Sequence, residues 1–172
     1  PDDLASQTFL RKVFTGPDYS ATMLPQLWES PTGSRPIMMV GASIPVPDAP
    51  NDHALLLLID PEKEFTEILQ RGRIGVSGES DAFNRSGQLI SESRFDTDLR
   101  ARGLIAPDQR GILHVEVRDP GGNMVEGFRP NTARDEFPLT RMAESAIAGN
   151  EGYDLDGYND YRGVPVVGVW TW

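Results

Sequence analysis

Apolar residues in this chain fall into short runs closed off by Pro, Gly, Asn and Asp, a pattern of β-strands and brief helices. "RPIMMVGASIPV" and "HALLLLID" are the clearest runs. They predict antiparallel strands over Ile37–Val46 and Ala54–Ile59, joined by the turn "PDAPND". Upstream, "YSATMLPQLWES" reads as a strand interrupted at Pro25. The chain opens on "PDDLASQTFLRKVFTG", a short helix that Asp2 or Asp3 would cap. Leu4, Phe9, Leu10 and Val13 fall on one face of it, and Gly16-Pro17 ends it.

"DPEKEFTEILQRGR" carries the strongest helix start. Asp60 is placed to cap, Pro61 stands first in the helix, and acids crowd the first turn. The helix is expected to run to about Gln70, with Phe65, Ile68 and Leu69 inward. "SDAFNRSGQLIS" reads as a hairpin, Asp81–Asn84 and Gln88–Ser91, turning at Asn84 to Gly87. "DTDLRARGLI" is a short helix. "GILHVEVRDPGG" reads as a strand in which Ile112, His114/Val115 and Val117 alternate. "PLTRMAESAIAG" is a helix with Leu139, Met142, Ala143 and Ile147 inward, ended by Gly149. The closing stretch predicts strands at Tyr158–Arg162 and Val164–Trp172. Helix, three strands, linking helix, hairpin, helices, hairpin: this order predicts an α+β fold, an antiparallel sheet flanked by helices.

Composition narrows the chemistry. The 172 residues suffice for one domain or two small modules. Net charge is -10, from 26 acids against 16 bases, so the average field repels nucleic acid. All bases but Lys12 and Lys63 are arginine, whose planar fork suits carboxylates and small anions, although genome composition produces the same bias. Cysteine is absent, which removes disulfides, thiolate metal sites and cysteine nucleophiles. No run approaches the ~20 apolar residues of a membrane span, and "PDDLASQ" lacks the form of a signal peptide. A start at proline and a stop inside a strand-like run suggest a piece of a longer protein.

Motifs for catalysis and metal binding fail on spacing. In "DLDGYND", Asp154, Asp156, Asn159 and Asp160 offer oxygen ligands, but Gly157 comes too early for a calcium loop and a polar turn is the better reading. "GVSGES" lacks the Gly-x-Ser-x-Gly spacing of a nucleophile elbow, and the only histidines, His53 and His114, are far apart. "RDPGGN" lacks the lysine of a phosphate loop. Neither metal nor cofactor is expected. Arg94, Arg118, Arg129 and Arg141 lie at element ends, where they either pair with surface acids or converge on an anion.

Four stretches together resemble a known family: "RPIMMVGASIPVPDAPNDHALLLLIDPEKEFTEIL", "SGESDAFNRSGQLISESRF", "RDPGGN" and "GYNDYRGVPVVGVWTW". They are similar to double Cache (PAS-like) sensor domains, the extracytoplasmic input modules of bacterial transmembrane receptors such as histidine kinases, cyclases and chemoreceptors. The tail is the most specific part. "DYRG-x-PV-x-G" followed by an aromatic strand resembles the third and fourth strands of the membrane-proximal module. "SGE-x-x-AF-N-R-x-G-x-L-I-S" resembles its first hairpin, with Asp81 where the family usually has tyrosine.

The resemblance implies a division into 1–69, the end of a membrane-distal module plus linking helix, and 70–172, a membrane-proximal module lacking its last strand. It implies a PAS/Cache-like sheet, a periplasmic location, a membrane-anchored parent protein that can dimerise, and no enzymatic activity in this segment. The ligand it implies is a small carboxylate or amino acid. Arg94, Arg118, Arg141, Tyr158 and Tyr161 are the candidate contacts. Two rivals stand beside it: a ligand-free structural or dimerisation module, and a hydrolase using paired carboxylates.

Overall fold

The computed structural model describes residues 4–16, 20–30, 33–46 and 53–172. The expected caps Asp2 and Asp3, the stop at Pro17 and the turn "PDAPND" lie outside the described residues. The fold is α+β with antiparallel strands. It divides into two compact units, Pro1–Gly72 and Arg73–Trp172.

The first unit is a three-stranded antiparallel sheet in the order β1 (Ser20–Ser30), β2 (Gly33–Ser43), β3 (Ala54–Ile59), with helix α1 (Leu4–Thr15) against it. Pro25 has no amide hydrogen for the ladder, and the β1–β2 register shifts between Met23 and Gln26. Phe9 and Val13 of α1 pack on Ile37 and Met39. Gly41 marks the closest approach: a Cβ there would meet Val13, Phe9 and Leu56 side chains at 2.8 to 3.0 Å. Leu10, expected inward, is exposed. β2 begins and ends earlier than the apolar run predicts, while β3 has the expected bounds.

After β3 the chain enters a wide π-type turn, Pro61–Phe65, then helix α2 (Thr66–Gln70). Asp60 Oδ1 accepts the Glu62 amide at 3.0 Å. The wide turn adds backbone that a 3.6-residue period does not anticipate, so the inward face shifts. Thr66 is buried, bonding the Pro61 carbonyl at 2.8 Å, whereas Ile68 is 67% exposed, contrary to expectation.

The second unit holds most of the described core: Leu89, Leu99, Ile105, Val115, Val117, Ala143 and Tyr161, with Phe83, Leu104, Leu139 and Met142 against them. Its regular elements are α3 (Asp96–Ala101), α4 (Arg141–Ile147) and the antiparallel pair β4 (Gly152–Asn159) and β5 (Pro165–Trp170). The 81–91 hairpin closes through the single bridge Phe83 to Leu89 rather than through extended strands. Its turn forms because Asn84 Oδ1 accepts the Ser86 and Gln88 amides and Gly87 takes φ 81°.

The segment 111–118 is not the regular strand that its alternation predicts. Leu113 has φ 60°, and Ile112, Leu113, Val115 and Val117 are all buried. Its amides and carbonyls still reach 87–89, through Leu89 to Val115 at 2.8 Å and Val117 to Gly87 at 2.7 Å. Thr140 caps α4 by accepting the Ala143 amide, and Gly149 (φ 86°) follows its end.

Candidate functional site

A partly buried polar cluster of the second unit joins three stretches distant in sequence: 73–82, 91–95 and the 160–163 turn between β4 and β5. Glu79 is its centre. Glu79 Oε1 accepts Ser93 Oγ at 2.9 Å and the Arg94 amide at 2.6 Å, and Oε2 accepts the Tyr161 hydroxyl at 2.8 Å. Ser93 Oγ and Tyr161 OH stand 2.6 Å apart, and Ser93 Oγ also accepts the Phe95 amide at 2.9 Å. Two residues further on, Asp81 Oδ1 is sealed from solvent with no donor facing it.

The 160–163 turn is built around Asp160. Its Oδ1 accepts the Arg162 and Val164 amides at 2.8 and 2.9 Å, and its Oδ2 takes Nε and Nη2 of Arg162 at 2.9 and 2.6 Å. Arg162 is only 7% exposed, and its guanidinium lies 3.3 Å over the Phe95 ring. The buried charge therefore has both an anion and an aromatic face. Gly163 (φ 75°) is packed so closely that a Cβ would overlap the Gly122 carbonyl oxygen, and the Met124 amide bonds the Arg162 carbonyl at 2.9 Å. This ties "RDPGGN" to "DYRG".

Burial, followed by the Glu79 charge, pushes Asp81 well above the usual carboxylate range, with Arg73 opposing. Burial and then the Glu79 and Asp81 charges push the Tyr161 phenol well above its ordinary value, so it remains a neutral donor. Burial and the charges of Asp160, Asp154 and Asp81 raise Tyr158 to about 12. The field around both tyrosines is acidic.

Of the five candidate contacts, Arg94 and Tyr161 meet at Glu79, Arg94 through its backbone amide. The Arg94 guanidinium donates to the carbonyls of Gly78 and Gly75 at 2.6 and 2.8 Å, holding the 75–78 loop. Arg118 pairs with Glu116 and donates to the Phe137 carbonyl at 2.6 Å, away from that cluster. Arg141, at the start of α4, pairs with buried Asp154 at 2.6 Å and is the most open of the three arginines. Tyr158 stands edge-on to Trp170 at 6.3 Å, and its hydroxyl covers Gly168 on the neighbouring strand.

Asp154 Oδ1 accepts the Asp156 and Gly157 amides inside a register shift of β4, at 2.9 and 3.0 Å. The acids of "DLDGYND" thus organise their own backbone and two arginines. Among the described residues no group of three His, Cys, Asp or Glu is placed to hold a metal, and no helix is long and apolar enough to cross a membrane.

Sequence reasoning missed Glu79, Ser93 and Arg162. Arg162 stood inside the most specific motif, and Asp81 stood out as a departure from the family pattern. Glu79 stood in the "SGE" that opens the hairpin resemblance and Ser93 in the same quoted stretch, but neither was read as a site residue. No protein-family model, curated protein or solved structure matches the chain.

Proposed function

We propose that this chain is the input module of a membrane-anchored signalling receptor, such as a histidine kinase, and works as an extracytoplasmic small-molecule sensor of the double Cache type. The chain has no catalytic role in this reading. The observation that carries it is the 160–163 turn. The residues that give the tail its resemblance are the ones that lock the β4–β5 hairpin onto the 79–95 segment, through Tyr161 to Glu79 and Arg162 to Phe95. A sensor needs a connection of this kind, which a ligand can strengthen or weaken, because only a difference in affinity between two arrangements transmits a signal.

Small carboxylates and amino acids are the ligands to try. Arg141 is the first contact to test, since its side chain is open and holds a single ion pair. Titration of acetate, pyruvate, lactate and the amino acids, followed by calorimetry and thermal shift, tests the reading. One of these acids should raise the melting temperature in proportion to its occupancy. Arg141→Ala should weaken that ligand at least about tenfold, the effect of losing one charge-assisted hydrogen bond.

The ligand-free structural module is the second reading, favoured by the engagement of Arg94, Arg118 and Arg141 with protein acceptors. Absence of binding by every acid, together with a dimer in sedimentation, would replace the first reading by the second.

A further inference from the structure

β3 is an edge strand: the sheet order leaves its far side without a neighbouring strand among the described residues. The register fixes which of its backbone groups face that side. The Ile44 amide donates to the His53 carbonyl at 2.8 Å, and the same register sets Met38 opposite Ile59. Bonded and non-bonded positions alternate along an antiparallel pair, so Leu55, Leu57 and Ile59 bond to β2. The amides and carbonyls of Ala54, Leu56 and Leu58 point outward. Edge strands are ordinarily guarded by a charge, a proline or a bulge. "ALLLLI" has none of these: its pairing with β2 runs without a register shift, and all four leucines are exposed.

We propose that β3 is an interface between two copies of this chain, each pairing antiparallel with the other across a two-fold axis at Leu56. In that register Leu56 faces the partner's Leu56, and Ala54 faces the partner's Leu58. Each facing pair exchanges two hydrogen bonds, so every outward amide and carbonyl of both strands is met. A slip of two residues in either direction leaves one outward residue of each strand without a partner in β3.

The side chains fit the same axis. Leu56 lies on the α1 face, since it would meet a Cβ at Gly41 together with Phe9 and Val13. Leu55 and Leu57 project from the opposite face, where Leu55 stands beside the partner's Leu57. Every facing pair is apolar, and such cross-strand pairs stabilise a sheet. Charge also selects a second copy at close range. The net charge of -10 makes two copies repel at a distance, but no acid lies on β3 itself, so pairing sets no like charges opposite one another. A two-fold partner brings the same neutral strand with the same spacing of donors and acceptors. Four partly exposed leucines a side bury less than the roughly 1,200 Å² of a standard interface, so the dimer is weak and depends on concentration. It belongs to the first unit and forms whether or not a small acid binds the chain.

The absence of cysteine makes the register readable by cross-linking. Bonded antiparallel partners have Cα atoms about 5.5 Å apart, within reach of a disulfide. Leu56→Cys places its only thiol beside the same thiol of the partner. Leu57→Cys places it two residues away along the strand, beyond the roughly 7 Å limit. Under mild oxidation of the full chain at equal concentration, Leu56→Cys should cross-link at least about tenfold faster than Leu57→Cys. Chance collision favours the opposite order, because Leu57 is 60% exposed and Leu56 only 43%.

Sedimentation velocity of the unsubstituted chain from about 1 μM to about 1 mM should show a reversible dimer. Leu58→Pro removes an outward amide that the ladder with β2 does not use. It should raise the dimer dissociation constant at least about tenfold while circular dichroism still shows the sheet. Should Leu58→Pro not fold, the pair of cysteine variants decides. A chain that is monomeric throughout the range overturns the proposal and gives the edge to a strand of another protein. A dimer in which Leu57→Cys cross-links as fast as Leu56→Cys also overturns it, because the contact then lies in another register or on another surface.

Discussion

The two units solve the problem of holding antiparallel strands in opposite ways. In the first, regular strands carry a thin core: among the described residues Phe9, Val13, Ile37 and Met39 form its buried cluster, with Pro25 and Pro61 also buried. Its edge strand β3 leaves Leu55 to Leu58 exposed at 43% to 66%. In the second, strands are short or reduced to single bridges, yet the core is larger and a buried polar network closes it. Regular secondary structure and depth of packing are thus separate properties here. A strand satisfies its backbone with its neighbour and can still present leucine to solvent. The irregular 111–118 segment buries Ile112 and Leu113 side by side because the backbone turns at Leu113 (φ 60°), and it then alternates, with Val115 and Val117 buried and His114, Glu116 and Arg118 partly exposed.

The largest expected effect tests that contrast with leucine alone. Leu99→Ala removes a fully buried side chain from the second unit and should cost about 2–5 kcal/mol. Leu57→Ala, on the exposed edge strand, should change stability by less than about 0.5 kcal/mol. Tryptophan fluorescence separates the units, because Trp28 reports the first and Trp170 and Trp172 the second. Equal losses from the two changes would erase the distinction between them.

Next comes backbone packing. Gly163→Ala places a Cβ against the Gly122 carbonyl at a left-handed φ, and should cost about 2–4 kcal/mol from overlap and strain together. The same substitution at Gly121, also left-handed but with open space around it, should cost only the conformational part, about 1–2 kcal/mol. Urea midpoints of the two variants measure the difference. If Gly121→Ala is the more damaging, the close approach of the two loops is not what stabilises the turn.

Tyr161→Phe is a smaller perturbation. It keeps the ring in the core but removes the donor to Glu79 Oε2, and should destabilise the second unit by about 1–3 kcal/mol. Its effect should be reduced in a Glu79→Gln background, where the partner is already changed. Additive losses in a double-mutant cycle would show that the hydroxyl and the carboxylate do not act as a pair.

Legibility in the sequence followed the range of the interactions. β3 was readable residue by residue because His53 and Asp60-Pro61 bracket an unbroken apolar run. The turn at Asn84 was readable because side chain and backbone bond within four residues, whereas the strand expected over Tyr158–Arg162 lies instead at Gly152–Asn159, because Asp160 folds 160–163 into a turn around its own carboxylate. Of the stripe expected on α2, Phe65 and Leu69 are half-buried but Ile68 was misplaced, because the π-type turn before the helix shifts its phase and nothing in "PEKEF" signals such a turn. The strand expected at 111–118 was misread because its alternation is only one way to distribute apolar residues that are all buried. The Glu79 cluster was hidden for a different reason: Tyr161 lies 82 positions from Glu79 and Ser93 lies 14 away, so neither local period nor motif relates them.

The smallest expected effect compares one helix cap from each unit. Asp60 Oδ1 takes the Glu62 amide at 3.0 Å at a partly exposed site, with Lys63 3.7 Å from its other oxygen. Thr140 Oγ1 takes the Ala143 amide at 3.3 Å where water is excluded. On bond length alone Asp60 is the better cap, and it adds a negative charge at a helix start. Burial argues the other way. When Asp60 is truncated, water can reach the Glu62 amide, whereas truncating Thr140 leaves the Ala143 amide buried without an acceptor. Burial should prevail, because an unmet buried donor costs more than a weakened exposed bond. Asp60→Ala should therefore cost about 1 kcal/mol and Thr140→Ala about 1–2 kcal/mol. The Asp60 effect should shrink as salt screens its charge, and the Thr140 effect should not. Denaturation midpoints at low and high salt decide the matter: a larger, salt-independent loss at Asp60 would mean that the first unit depends on its linking helix more than its thin core suggests.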